Sequence, residues 1–333
     1  MRAFFDPRQL AHAPERELHH GAFVAYAEHP GRAGAILAGI GPTELPADRG
    51  EAPLLAVHSR DYLDFLKSAH ADWRAAGRPG DAAAYAWPIV RRRPLRLDRI
   101  DARLGRHSFD ASTPIAEGSW QSAYWSAQSA LAALGAVLGG EAAAFAACRP
   151  PGHHAGADYL GGYCYLNNAA IVAEAAAAAG RRVAILDIDY HHGNGTQDIF
   201  WERGDVLFVS IHADPASDYP FFWGHADEAG EGEGEGATLN LPLPRGTDLA
   251  AYLPALDRAL DAIARFGADL LVVSFGADTF EGDPISAFRL ATGNYPEISR
   301  RITGLNIPAV ILTEGGYAAD ALGANFAAFL SGF

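Results

Sequence analysis

Short apolar runs alternate with longer amphipathic or alanine-rich stretches along most of the chain. The runs at 3–5, 54–57, 143–147, 183–188, 206–211, 238–241, 270–275 and 309–312 read as strands. The segments near 31–40, 60–76, 119–138, 165–179, 248–266, 295–304 and 318–330 read as helices. Several of the runs are apolar at every position rather than at alternate ones, as expected for strands covered on both faces. Such strands alternating with helices specify βα units. The expected fold is three-layer α/β, with a mostly parallel central sheet of about eight strands and helices on both faces. Ser119 and Asp248 fit as N-caps of the helices near 119–138 and 248–266.

Two segments break the rhythm. The stretch 77–112 has no clear period and contains Arg91-Arg92-Arg93-Pro94. It reads as a long excursion, continuing to about 118, of the kind that serves a site or an interface. The basic triplet is expected to be solvated or paired at a subunit contact. Residues 229–236 alternate glycine with glutamate. Without a Lys-Ser/Thr end, and with acids that repel phosphate, this is a flexible loop rather than a phosphate cradle.

Length gives a prior of about two domains. One domain over 1–333 is preferred, because the polar residues at strand ends span 153 to 317 and must converge. The chain has 333 residues and a net charge of −14, and Lys67 is its single lysine beside 25 arginines. That balance argues against nucleic acid and anionic membranes as partners. Cys148 and Cys164 are the only cysteines and form no CxxC pair. Free thiols and a cytoplasmic location are expected. No run approaches the ~18 apolar residues of a membrane helix, and residues 1–6 lack the features of a signal peptide.

The candidate chemistry lies where the apolar runs stop. Leu186-Asp187-Ile188-Asp189-Tyr190-His191-His192-Gly193-Asn194-Gly195 places two carboxylates and two imidazoles at the end of one strand. His153-His154 lies in Arg149-Pro150-Pro151-Gly152-His153-His154-Ala155-Gly156. Asp278 and Tyr317 follow two further strands. Open α/β sheets carry their chemistry at this edge. On an extended segment Asp189 and His191, at i and i+2, face one side, and His192 the other. With Asp278 they make two carboxylates and an imidazole, the three-ligand pattern of a catalytic rather than a structural zinc site. The alternative is a buried hydrogen-bond network without metal. Asp187 and Asn194 are candidate acceptors for the two adjacent imidazoles, which are suited to moving a proton to and from a water and a leaving amine. Tyr317, after Thr313-Glu314-Gly315-Gly316, is a neutral donor fit to hold a developing oxyanion.

These residues also resemble a known family. Arg149 to Ala155, Gly161-Gly162-Tyr163-Cys164-Tyr165-Leu166-Asn167-Asn168, Asp187 to Gln197 and Glu314 to Tyr317 look like signature blocks of the zinc-dependent histone deacetylase superfamily. Glu17-Leu18 through Pro30-Gly31-Arg32, the 77–118 excursion and Asp278 to Pro284 look most like its bacterial acetylpolyamine amidohydrolase branch. The resemblance implies an arginase/deacetylase-like fold. It implies Asp189, His191 and Asp278 as zinc ligands, His154 as general base and acid, His153 as its electrostatic partner, and Tyr317 as the group polarising the carbonyl. Gly162, Tyr163 and Tyr219 would line the substrate channel. One potassium ion would use Asp187, Asp189, His191, Ser210 and Ile211, and a second Phe200, Arg203 and Val206.

In that branch an acid in the excursion meets the distal ammonium. Here Ser112 falls at that position and Asp101 where a second acid is expected, with Asp110 and Glu117 as other acids nearby. His19 falls at a rim aromatic, and Asn194 stands where some relatives carry Asp. The implied activity is hydrolysis of the acetamide of a small acetylated cationic amine, an acetylpolyamine or acetyldiamine, by a homodimer whose excursion closes over the pocket. Deacetylation of acetyl-lysine proteins is the alternative. A binuclear manganese ureohydrolase, with Asp283 as an additional ligand, and a catalytically silent metal-dependent binding protein are further readings.

Overall fold

The buried apolar runs come together as parallel strands of one seven-stranded sheet. In chain order the strands are β1 (Arg2–Phe4), β2 (Arg16–His19), β3 (Ala22–Ala25), β4 (Ala143–Ala146), β5 (Val183–Asp187), β6 (Val206–Ala213), β7 (Thr238–Leu243), β8 (Leu270–Phe275) and β9 (Ala309–Thr313). The computed structural model describes residues 1–89 and 95–333, so Arg91-Arg92-Arg93-Pro94 lies outside the described residues. The sheet order is β1-β4-β9-β8-β5-β6-β7 and every adjacent pair is parallel. β2 and β3 form a separate antiparallel hairpin.

Strand alternation divides the sheet's side chains between two cores. Ala184, Leu186, Val209, Val273 and Ile311 face one side, where the helices Leu249–Phe266, Tyr295–Thr303 and Ala319–Leu330 supply Leu256, Ile298 and Phe326. Val183, Ile185, Phe208, Val272 and Leu312 face the other. There the helices Ser119–Leu138 and Asn168–Ala178 present alanines, whose small side chains let the helix backbones lie close to the sheet. A third apolar cluster joins the helix Arg60–Ala75 to Ala82, Ile100, Leu104 and Ile115, so the flanks of the excursion are anchored in a core.

Two expectations are corrected. Residues 54–57 are not a strand: Ala52–Leu55 is a helical turn with Pro53 in its first turn, where the absent N–H costs nothing, and Leu54 is buried in the third cluster. A short apolar run does not distinguish the two states. The helix near 119 begins at Ser119 itself after Gly118, and the Ser119 hydroxyl accepts from Ala116 N rather than capping. The hairpin β2–β3 and the helices Ile100–Arg106 and Asn194–Phe200 were not anticipated. The hairpin's two-residue turn, His20-Gly21, has φ of 47° and 81°, the backbone that two-residue hairpin loops require. Asp248 does cap its helix, accepting from Ala251 N at 3.0 Å.

The N-terminal segment is tied to the sheet by buried charge. Glu28 accepts from Arg32 Nη1 at 2.8 Å, and its Oε1 lies 3.0 Å from Arg149 Nε. Arg149 also donates to the carbonyls of Gln9, His12 and Glu28. Arg32 donates to the carbonyls of Glu314 and Gly316, beyond the end of β9. All three side chains are fully buried. Removing one member of such a set leaves uncompensated charge in the interior. Glu28→Ala is therefore expected to destabilise the chain by about 3–5 kcal/mol, read as a lower urea midpoint at unchanged slope.

Candidate active site

Four neighbouring strands end in one row. Sheet register aligns Asp187 with Ser274, Ser274 with Leu312 and Leu312 with Ala146, so the segments leaving β5, β8, β9 and β4 emerge side by side. They carry Asp189 and His191, Asp278, Tyr317, and His153-His154. β5 stops at Asp187, and residues 188–192 turn rather than extend. Asp189 and His191 converge through that turn, with His191 N donating to Asp189 Oδ1 at 2.8 Å, not through strand alternation. Asp278 sits on a single 3₁₀ turn, Ala277–Thr279.

Ligand atoms of Asp189, His191 and Asp278 lie within 4.8 Å of one another. His191 Nδ1 is 3.0 Å from Asp278 Oδ2 and 3.3 Å from Asp189 Oδ1. The backbone makes room for the carboxylates. A Cβ at Gly276 or at Gly315 would fall inside 3.0 Å of carboxylate oxygens of both Asp189 and Asp278. Electrostatics here ask for positive charge: burial, and then Asp189, push Asp278 up to about 7. Burial would depress His191, but Asp189 and Asp278 outweigh it and hold its imidazole at about 10. A cradle of two buried carboxylates and one imidazole nitrogen fits a divalent cation.

The imidazole pair lies beside it. His153 Nδ1 is 2.9 Å from Asp187 Oδ2, and His154 Nδ1 is 2.7 Å from Asn194 Oδ1. Burial lowers His153, but Asp187 and Asp189 raise it on balance to about 10. Burial, then His153 and His191, hold His154 well below the ordinary imidazole value. An amide oxygen only accepts, so His154 Nδ1 carries its proton and Nε2 is left basic. The turn bearing Tyr317 is fixed by Asp283, which accepts from Tyr317 N at 2.6 Å and Ala318 N at 3.2 Å. Arg32 lies over the phenol ring, 4.7 Å from its centroid. Burial raises the Tyr317 phenol far above its usual range, and the Arg32 charge opposes this only in part, so it remains a neutral donor.

His154, His191 and Tyr317 open into a cavity of about 450 Å³ that Gly162, Tyr163, Tyr219, His19 and Ser112 also line. Asp110 organises that wall, accepting from Gly162 N at 2.8 Å and from Tyr219 Oη at 2.9 Å. Tyr163 Oη donates to Glu17 on the hairpin. Asp101 is not brought to the cavity: it is held by Arg78, Arg99 and Tyr85. Glu117 lines a different surface groove with Lys67 and Trp120. Ser210 faces Asp187 across β5 and β6, with Ile211 the next residue on β6. Phe200, Arg203 and Val206 form one turn into the start of β6, where Arg203 N donates to Phe200 O. Sequence reasoning missed the structural roles of Glu17, Arg32 and Asp283. Nothing local marks them, because each acts on a backbone or ring distant in sequence.

Asp283, the extra ligand of the ureohydrolase reading, is not among the donors grouped with Asp189, His191 and Asp278; it fixes the turn that carries Tyr317. Among the described residues a second buried donor group is His153, Cys164 and Glu314, in which Glu314 accepts from Gly152 N, His153 N and Ser274 Oγ.

Comparison with known proteins agrees with this geometry. Residues 28–333 match the histone deacetylase domain. Acetylpolyamine amidohydrolase 2 of Pseudomonas aeruginosa is 47% identical, with 99% of this chain and 97% of that protein aligned. Acetylpolyamine amidohydrolase of Mycoplana ramosa is 44% identical over 100% and 99%. The crystal structure of acetylpolyamine aminohydrolase from Burkholderia pseudomallei superposes with a TM-score of 0.96 at 44% identity, covering 100% of this chain and 98% of that one. The strand-end cluster thus sits on a fold shared along its whole length, and the chain belongs to the histone deacetylase family of metal-dependent hydrolytic enzymes.

Proposed function

We propose that this chain is a zinc-dependent deacetylase that hydrolyses the acetamide of small acetylated amines, of the acetylpolyamine or acetyldiamine class, to free amine and acetate. The observation that carries the reading is the convergence of Asp189, His191 and Asp278 beside a buried imidazole pair and Tyr317 in one cavity. The names of the full-length relatives support the substrate class.

Asp189, His191 and Asp278 would hold the zinc, which would supply Lewis acidity at the base of the cavity. His154 Nε2 takes a proton from the attacking water while its Nδ1–H stays anchored on Asn194. A charged His153, paired with Asp187, supports the developing negative charge. Tyr317 donates its hydroxyl hydrogen bond to the carbonyl oxygen as the carbon becomes tetrahedral. His154 then returns its proton to the leaving nitrogen, the C–N bond breaks, and acetate and amine separate. Gly162, Tyr163 and Tyr219 flank the substrate's aliphatic stem.

Two potassium ions are part of the reading, one on Asp187, Asp189, His191, Ser210 and Ile211, the other on Phe200, Arg203 and Val206. The excursion exposes Tyr85, Trp87, Ile89 and Leu95. Apolar surface of this kind supports a homodimer with the excursion at its interface. No described helix is long and apolar enough to cross a membrane. Both cysteines are free and buried, which fits a cytoplasmic location.

Tyr317→Phe and His154→Ala are each expected to lower kcat on an acetylated diamine by about 10²-fold or more with folding intact, and retention of activity within a few-fold would refute the assigned roles. Dialysis against a chelator is expected to abolish turnover, with recovery at one zinc per chain by elemental analysis; two ions per chain would point to the binuclear alternative. Ile89→Asp is expected to shift the dimer toward monomer in light scattering.

A further inference from the structure

One amide must point the right way for the imidazole pair to work. Asn194 is buried and takes His154 Nδ1 on its Oδ1 at 2.7 Å. Its other end, Nδ2, is also buried and has no hydrogen-bond partner among the described residues. Turned end over end, the amide would fill the same space. It would then offer its –NH2 to Nδ1, put the imidazole proton on Nε2 in the cavity, and leave no base there. A wrong tautomer silences an imidazole base even where its geometry is intact. The bond to His154 alone does not choose between the two orientations, because a neutral imidazole nitrogen can donate or accept.

The surroundings of Nδ2 supply the choice. Asn194 and Asp198 are four residues apart on the helix Asn194–Phe200, so their side chains share a face. The start of that helix presses on the backbone after His154. A Cβ at Gly195 would fall inside 3.0 Å of Ala155 O, and Thr196 N donates to His153 O at 3.1 Å. The Tyr159 ring closes on the next residue of the same backbone. A Cβ at Gly156 would fall inside 3.0 Å of Tyr159 Cζ, the carbon that bears the hydroxyl. Gly156 N donates to Tyr159 O at 3.0 Å, and Phe109 meets the ring edge-on with centroids 5.7 Å apart. The hydroxyl so placed lies beside the side chains of both Asp198 and Asn194.

We infer that Tyr159 is a positioning residue for the general base: its hydroxyl donates to Asp198, accepts from Asn194 Nδ2, and so locks the amide with its oxygen on His154. A carboxylate only accepts, which fixes the direction of the hydroxyl and leaves its lone pairs for the amide. This rests on the deacetylase reading and gives a role in it to a residue that does not line the cavity.

The test uses the metal-loaded full chain and an acetylated diamine, with wild type, Tyr159→Phe, Asn194→Asp and the double variant. Tyr159→Phe keeps the ring. It is expected to lower kcat by about tenfold with KM within about twofold, since the base is disturbed and the binding surface is not. An Asp at 194 accepts through either oxygen and needs no orienting partner. In the Asn194→Asp background, Tyr159→Phe is therefore expected to change kcat by less than about twofold. Nitrogen NMR of the imidazoles reads the same point without turnover: His154 protonated at Nδ1 in wild type, and a mixture of tautomers in Tyr159→Phe. Equal losses in both backgrounds, or an unchanged tautomer in Tyr159→Phe, would mean a packing role and overturn the inference. An active wild type whose kcat survives Tyr159→Phe overturns it too and leaves the deacetylase reading standing. If metal-loaded wild type cleaves no acetylated amine, that reading falls, and this inference with it.

Discussion

Two carboxylates buried side by side at the end of a parallel sheet set the terms for the rest of this molecule. Asp189 and Asp278 are fully buried, and each shares its surroundings with the other's charge. Such an arrangement is tolerable only where positive charge or donors meet it. His191 faces both carboxylates, and backbone amides complete the set: Gly315 N donates to Asp189, and Tyr190 N to Asp278. The glycines at 276 and 315 follow from the same demand, because any side chain there would occupy the oxygens' space.

The architecture explains how residues from four separate segments reach one point. Parallel strands in register deliver their ends to a common edge, so each crossover needs only to place one or two polar residues just beyond its strand. The sequence order of the chemistry, with His153-His154 before Asp189 and Tyr317 last, is unrelated to its spatial order. In space, β9 stands between β4 and β8, which brings the tyrosine turn beside both the imidazole pair and Asp278.

Much of this was legible in the chain because the informative signals are local. Runs such as 183–188 and 270–275 identify strands buried on both faces, and the polar residues after them identify the site. What was not legible depends on contacts distant in sequence. Leu54 reads like a strand residue until its burial in a helical cluster is known. Asp101 and Asp110 look equivalent in composition, yet one is held by arginines on the outer face and the other braces the channel wall. The hairpin β2–β3 leaves Phe23 and Val24 exposed, so it lacks the alternation that reveals a half-buried strand. Arg32 and Arg149 carry no sign of burial, since arginine is ordinarily a surface residue.

Arg32 reaches across 284 positions to the carbonyl of Gly316. The turn that carries Tyr317 therefore takes its final shape only when two segments far apart in sequence have met. Closing so large a loop costs entropy that must be spent before the contact forms. Opening that contact alone would leave the paired strands of the sheet in place while the backbone before Tyr317 lost its hold on Arg32.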